Sequence, residues 1–209
     1  MNTINITKKG FSIIEILVGI FIFSMGIAGV YAIISSTLRI NDLNKNYIIA
    51  VNLANEQIEL VRNIRDSNYK KIQKYNMINP SSNNYTNVFE YGKKYKIENN
   101  YSDTADFPIQ VIDITDGFEQ GVDKLNGVSM QKYIICIDSL NRYTHDCNNP
   151  NNKKTKFYKY ISFEKVTHKE GTNQIDITDA YLVTSKVIWY IRGYHEFEIK
   201  SIVADWKRL

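Results

Sequence analysis

Residues Lys8–Leu17 read KKGFSIIEIL, and the stretch contains a contradiction. Two lysines and a glycine lead into large apolar side chains, yet Glu15 sits among them. From Phe11 to Ile34 the chain continues as FSIIEILVGIFIFSMGIAGVYAII, where Glu15 is the single side chain charged at neutral pH. An apolar run of roughly 20 residues is long enough to cross a bilayer as a helix. A carboxylate at mid-bilayer costs about 2.5–3.5 kcal/mol on insertion scales, so one that is kept calls for a partner and a purpose.

Lys8 and Lys9 are too distant along the helix to pair with Glu15. As a basic flank they predict a cytoplasmic N-terminus and an exported remainder. A secretory signal has an apolar core of about 7–15 residues and then a small-residue cleavage site. This run is longer, and no A-x-A pattern closes it. A cut between Gly10 and Phe11 would resolve the contradiction. It would create an α-amino group, cationic near neutral pH, one helical turn from Glu15. Within a chain or between staggered neighbours, the two charges would neutralise each other in a low-dielectric setting.

KKGFSIIE, followed by the apolar run, resembles the class III signal of type IV prepilins and pseudopilins. The resemblance implies the following roles. Lys8 and Lys9 are the basic leader, and a membrane aspartyl protease cleaves after Gly10. The same enzyme, the prepilin peptidase and methyltransferase, methylates the new N-terminus at Phe11. Glu15, fifth in the mature chain, serves assembly. The implied partners are other pilins or pseudopilins, the processing enzyme, the pilus assembly platform and the membrane. The implied localisation is a single pass through the cytoplasmic membrane before assembly, then a surface filament or pseudopilus. Many major pilins carry a proline where this chain has Ala32. Gly26 and Gly29 are the residues that would loosen the helix instead.

The helical pattern continues past Ile34. Proline first occurs at position 80. Leu43, Tyr47, Ala50/Val51, Ala54, Ile58 and Val61 recur every three or four residues, one stripe of a helix. Asn44, Asn52, Asn55, Glu59 and Arg62 lie opposite, with Arg62 and Asp66 spaced for an i,i+4 contact. One helix is therefore predicted from Phe11 to about Asp66, about 80 Å long. Ser24, Ala28 and Ala32 form a small-xxx-small row, which permits close helix approach in a membrane.

Ser67 to Asn84 is polar and reads as a loop. Beyond it the sequence turns β-rich. Val88–Glu98 reads as a strand or short hairpin, and 107–121 as irregular with one short strand. Lys132–Asp138 and Asn141–Cys147 flank a tight turn. Phe157–Val166 reads as a strand. Tyr181–Ile191 and the stretch ending at Trp206 flank an Arg192-Gly193 turn. In that last strand His195, Phe197, Ile199 and Ser201 alternate with Glu196, Glu198 and Lys200, the mark of one wet face. This strand pair, closing in ADWK, resembles the C-terminus of PilV-type minor pilins.

The expected fold class is α+β, with an antiparallel sheet of about four to six strands laid on the second half of the helix. The expected divisions are a removed leader over 1–10, a membrane and assembly half over 11–35, an amphipathic half over 36–66 and an exported β-rich domain over 67–209.

Other chemistry is weakly signalled. The 209 residues carry a net charge of +4, scattered, with no basic reading helix, so nucleic acid is an unlikely partner. Two cysteines, Cys136 and Cys147, exclude a four-cysteine zinc site. They lie on adjacent predicted strands of a domain expected in an oxidising compartment, so a bridge and two unpaired thiols both stand open. His145, His168 and His195 lack metalloprotease spacing, and no phosphate-binding glycine motif occurs. Asp113, Asp116, Glu119 and Asp123 lack ordered EF-hand spacing and read as a solvated acidic loop. No enzyme, metal or cofactor is expected.

Overall fold

A single helix, α1, runs from Ile13 to Lys70 in the computed structural model. The structure describes residues 10, 12–78, 88–99, 109–114, 132–170 and 173–206. By its contacts the chain divides between Asn46 and Tyr47, inside α1. The first unit's described residues are almost wholly this helix. The second carries the rest of α1 and all the strands.

In the second unit α1 buries Ala50, Leu53, Ala54, Gln57, Ile58, Leu60, Val61 and Ile64. The predicted stripe is buried from Ala50 onward and widened by Leu53, Gln57, Leu60 and Ile64, whereas Tyr47, expected in it, is 49% exposed and Leu43 is half-buried. Asn44, Asn52, Asn55 and Glu59 are exposed, as their positions on the helix require. The expected Arg62–Asp66 contact does not form. Arg62 pairs with Glu59 at 2.6 Å and donates to Ser201 at 3.1 Å, while Asp66 pairs with Arg65.

The helix also runs four residues past the expected end at Asp66. Tertiary contacts hold its last turn. Asn68 is buried and donates through its amide to the carbonyls of Tyr75 and Met77. Tyr69 packs edge-on against Trp206 and donates to Asp205. The stop is a Schellman arrangement. The Gln73 amide donates to the Asn68 carbonyl at 2.9 Å and the Ile72 amide to that of Tyr69 at 3.1 Å. Ile72 sits in the left-handed position at φ 57, where glycine is usual.

Among the described residues seven strands form one antiparallel sheet: β1 (Lys94–Asn99), β2 (Ile109–Ile114), β3 (Ile134–Ile137), β4 (Tyr143–Thr144), β5 (Lys153–Glu170), β6 (Asn173–Tyr190) and β7 (Tyr194–Ala204). The sequence reading expected four to six. It merged β1 with the turn before it, where Gly92 takes φ 79 and donates to the Phe163 carbonyl. It also extended β4 through Cys147, whereas the chain turns at His145, whose carbonyl accepts from the Cys147 amide.

β5 organises the sheet. One edge pairs with β6 from Phe157↔Trp189 onward. The other edge is shared: β3 pairs near its start, through Ile134↔Tyr158 and Ile137↔Lys153, and β1 further along, through Tyr95↔Ile161. β7 closes the far side against β6. Its burial alternates as the sequence pattern predicts, with Glu196, Glu198 and Lys200 exposed.

Period two sorts β5 and β6 into two faces. Phe157, Ile161, Phe163, Val183, Val187 and Trp189 meet the α1 stripe. Tyr158, Tyr160 and Ile188 form a second apolar layer on the other face with Tyr133 and Ile134. Each fully buried side chain of this size contributes about 1.5–3 kcal/mol. Polar pairs cross between helix and sheet and fix their register. Ser185 donates to Gln57 at 2.8 Å, both fully buried. Lys159, only 1% exposed, meets Glu56 at 3.2 Å.

Two stability outcomes follow from this packing. Ile72→Gly relieves a β-branched residue of left-handed strain and should raise the unfolding free energy by about 1 kcal/mol in chemical denaturation. Glu56→Gln leaves the Lys159 ammonium buried without its counter-charge and should cost roughly 3 kcal/mol, whereas Lys159→Met should lie near neutral. Equal losses in the two variants would show that the pair is not desolvated.

Candidate functional site

The first half of α1 starts at Ser12, whose carbonyl accepts from the Glu15 amide at 3.0 Å and the Ile16 amide at 3.3 Å. Ser12 is therefore the N-cap and Glu15 the third helical residue. Ser12-x-x-Glu15 has the spacing of a capping box. An acid in the first turn also complements the positive end of the helix dipole. Gly10 is exposed just ahead of the cap. Lys8, Lys9 and Phe11 lie outside the described residues.

Beyond the cap the helix is apolar on every side and covered by nothing. Ile13 is 79% exposed, Phe23 70% and Tyr31 72%. A helix apolar all round needs apolar surroundings on all sides, and exposed apolar surface this large marks a membrane or protein contact. By length and composition α1 is able to cross a membrane. Two of its hydroxyls bond back to the helix backbone. Ser24 donates to the Ile20 carbonyl at 2.8 Å and Thr37 to that of Ile33 at 2.9 Å. A Cβ added at Gly19, Gly26 or Gly29 would meet no atom within 4 Å. Nothing within the chain therefore requires glycine at these positions.

In the second unit Cys136 and Cys147 are joined by a disulfide, with Cα atoms 5.5 Å apart. Cys136 lies in β3 opposite Thr144. Cys147 lies beyond β4 rather than on it, so the bridge ties the sheet to the loop that follows the short hairpin. His145 is buried inside this clip. Its Nδ1 stands 3.2 Å from the Ile134 carbonyl, and its backbone amide donates to Glu98 at 2.7 Å, beside the Thr144 hydroxyl. Nε2 is buried and has no hydrogen-bond partner. Burial, then the nearby Lys159 and Lys96 charges, hold the imidazole well below its usual range.

His195 stacks on Trp189 with its ring nitrogen 3.2 Å from the Ile191 carbonyl, a packing arrangement with no catalytic neighbour among the described residues. Asp113 pairs with Lys93 at 2.9 Å. Asp116, Glu119 and Asp123 lie outside the described residues. No group of three metal-ligating side chains occurs among the described residues.

Residues 7–31 match the family described as the prokaryotic N-terminal methylation motif. The match covers the basic pair, Gly10, Phe11, Glu15 and most of the exposed apolar run. It supports a type IV pilin-like or pseudopilin protein, a class whose members are structural subunits associating with other pilins and with prepilin peptidase. The motif and the apolar helix together fit membrane anchoring followed by assembly. No curated protein and no solved structure matches the chain.

The buried imidazole predicts a pH dependence. The unfolded chain takes up a proton near pH 6.5, whereas the folded chain keeps His145 neutral to a lower pH. The unfolded state thus binds more protons, and stability falls as pH drops below about 6.5, by up to about 1.4 kcal/mol per unit. Denaturant midpoints of wild type and His145→Gln between pH 7 and 5 should show this slope shrinking in the variant.

Proposed function

We propose that this chain is a minor pilin subunit of a type IV pilus-like filament. Prepilin peptidase cuts between Gly10 and Phe11 and methylates Phe11. The apolar half of α1 holds the precursor in the cytoplasmic membrane with the β-rich unit outside, then packs among the helices of other subunits. Glu15 sets the register of that packing: its carboxylate meets the terminal amine of Phe11, that of an adjacent subunit. Lys8 and Lys9 hold the leader on the cytoplasmic side.

One observation carries this reading. The methylation motif lies on a helix whose every apolar face is exposed from Ile13 to Ile40, while the same helix buries a single stripe from Ala50 onward. The exposed half needs a non-aqueous environment, and the motif supplies a class of protein in which that environment is first lipid and then other helices. The β6–β7 pair ending in ADWK supports a minor rather than a major subunit. A pseudopilus of a secretion or DNA-uptake system would use the same N-terminus.

Mass spectrometry of protein extracted from native membranes should find a methylated Phe11 as the first residue. An intact Met1 on functional protein would instead fit a membrane-anchored binding domain that never assembles. Glu15→Ala should be processed normally yet be depleted at least tenfold from sheared filaments, because the amine then lacks its counter-charge in a low-dielectric bundle.

A further inference from the structure

The strand register brings three connections to the end of the second unit where Tyr47 lies. β5 pairs with β6 only from Phe157↔Trp189 onward, so residues 153–156 extend past the end of β6, alongside the 191–193 turn. β3 reaches its end at Ile137↔Lys153, which places the 138–142 turn at the same level. Tyr47 touches Phe197, near the start of β7, and Ile49, Tyr143 and Ile191 all pack against one core cluster that contains Ala50, Leu53 and Trp189. The helix therefore enters the unit at this end.

The end displays two kinds of side chain. Lys153, Lys154, Lys156 and Arg192 are exposed, and among the described residues none of the four makes an ion pair. Leu140, at the tip of one turn, is 67% exposed, and Tyr190, at the base of another, is 47% exposed. Of the acids nearby, Asp138 is bonded to Arg142 at 2.7 Å, and Glu196, near the start of β7, to Lys186 at 2.7 Å. Cations interleaved with aromatic and aliphatic tips are the composition that suits a lipid headgroup layer. Each Lys or Arg near an anionic leaflet adds attraction, within a Debye length of the surface.

We infer that this end of the unit is a docking surface for anionic phospholipid headgroups, resting the subunit on the outer leaflet before assembly. The inference rests on the reading of α1 as a membrane helix. Only six residues separate Ile40, the last large apolar residue of the fully exposed run, from Tyr47. A bilayer that holds that run is therefore within reach of whatever the Tyr47 end displays. Docking there holds the β-rich unit against the leaflet. Withdrawal into a filament must then break these contacts, so the cations tune how readily the subunit leaves the membrane.

The test uses the full chain in phosphatidylcholine nanodiscs with and without phosphatidylglycerol. Lysine acetylation is read by mass spectrometry at Lys153, Lys154 and Lys156, with Lys200 on the exposed face of β7 as the internal reference. The expected result is several-fold slower labelling of the three lysines in phosphatidylglycerol discs, relieved by high salt, with Lys200 unchanged. In a Lys153→Glu, Lys154→Glu, Lys156→Glu chain, labelling of the remaining exposed lysines should no longer respond to the anionic lipid. Arg192→Glu alone should weaken the protection of the three lysines without loss of fold by circular dichroism. Equal labelling in both lipids, by chain that still co-floats with the discs, overturns the docking surface alone. Chain that fails to co-float overturns the membrane-helix reading beneath it. Protection that follows the number of chains per disc rather than the lipid overturns the inference in favour of a second copy.

Discussion

The rest of the molecule depends on a change of surroundings along α1. Over its first half the helix is apolar in every direction, so nothing short of a non-aqueous environment on all sides stabilises it. Over its second half the apolar residues narrow to one stripe, and only a folded sheet is needed to cover it. The helix starts on the Ser12 carbonyl, and Asn68, Tyr69 and the Ile72 turn close its end. The helix is thus both the element that a membrane or filament must accept and the element on which the sheet is built.

The sheet answers this through β5. Antiparallel pairing on one edge with β6 and on the other with β3 and β1 lets one long strand join parts of the chain that are far apart in sequence. Its alternation supplies an inner face for α1 and an outer face for the tyrosine layer. Lys159 breaks the apolar pattern on the inner face, and Glu56 of the helix meets it. The disulfide and the buried His145 clip the short hairpin on the other edge, where β4 is only two residues long and pairing alone is weak. The second unit therefore offers no catalytic constellation among its described residues. Its buried polar pairs, Ser185–Gln57 and Lys159–Glu56, serve the register of helix and sheet.

Much of this was readable in the chain. The apolar run, the stripe after it and the final hairpin each depend on residues a few positions apart, and the periods of 3.6 and 2 express that directly. The methylation motif was readable for the same reason: a basic pair, a glycine and an acid at short spacing. Strand ends were read less well. β5 and β6 run far beyond their apolar cores, to Glu170 and from Asn173, because each supplies the other's hydrogen bonds where the side chains no longer signal a strand. β4 is shorter than its composition suggests because the chain turns to bring Cys147 back toward Cys136.

By itself, then, the sequence determined a membrane-length helix with a lone acid near its start and an N-terminal methylation motif around it, since local spacing carries both. Tertiary structure alone decided which charges pair, that Arg62 turns to Glu59 and Ser201, that Lys159 is buried against Glu56, and that Cys136 and Cys147 meet. It also decided that four cations gather at the end where the helix enters. The Arg62–Ser201 and Lys159–Glu56 contacts depend on how the helix meets the sheet, which joins residues more than a hundred positions apart and leaves no mark in any short window of the chain.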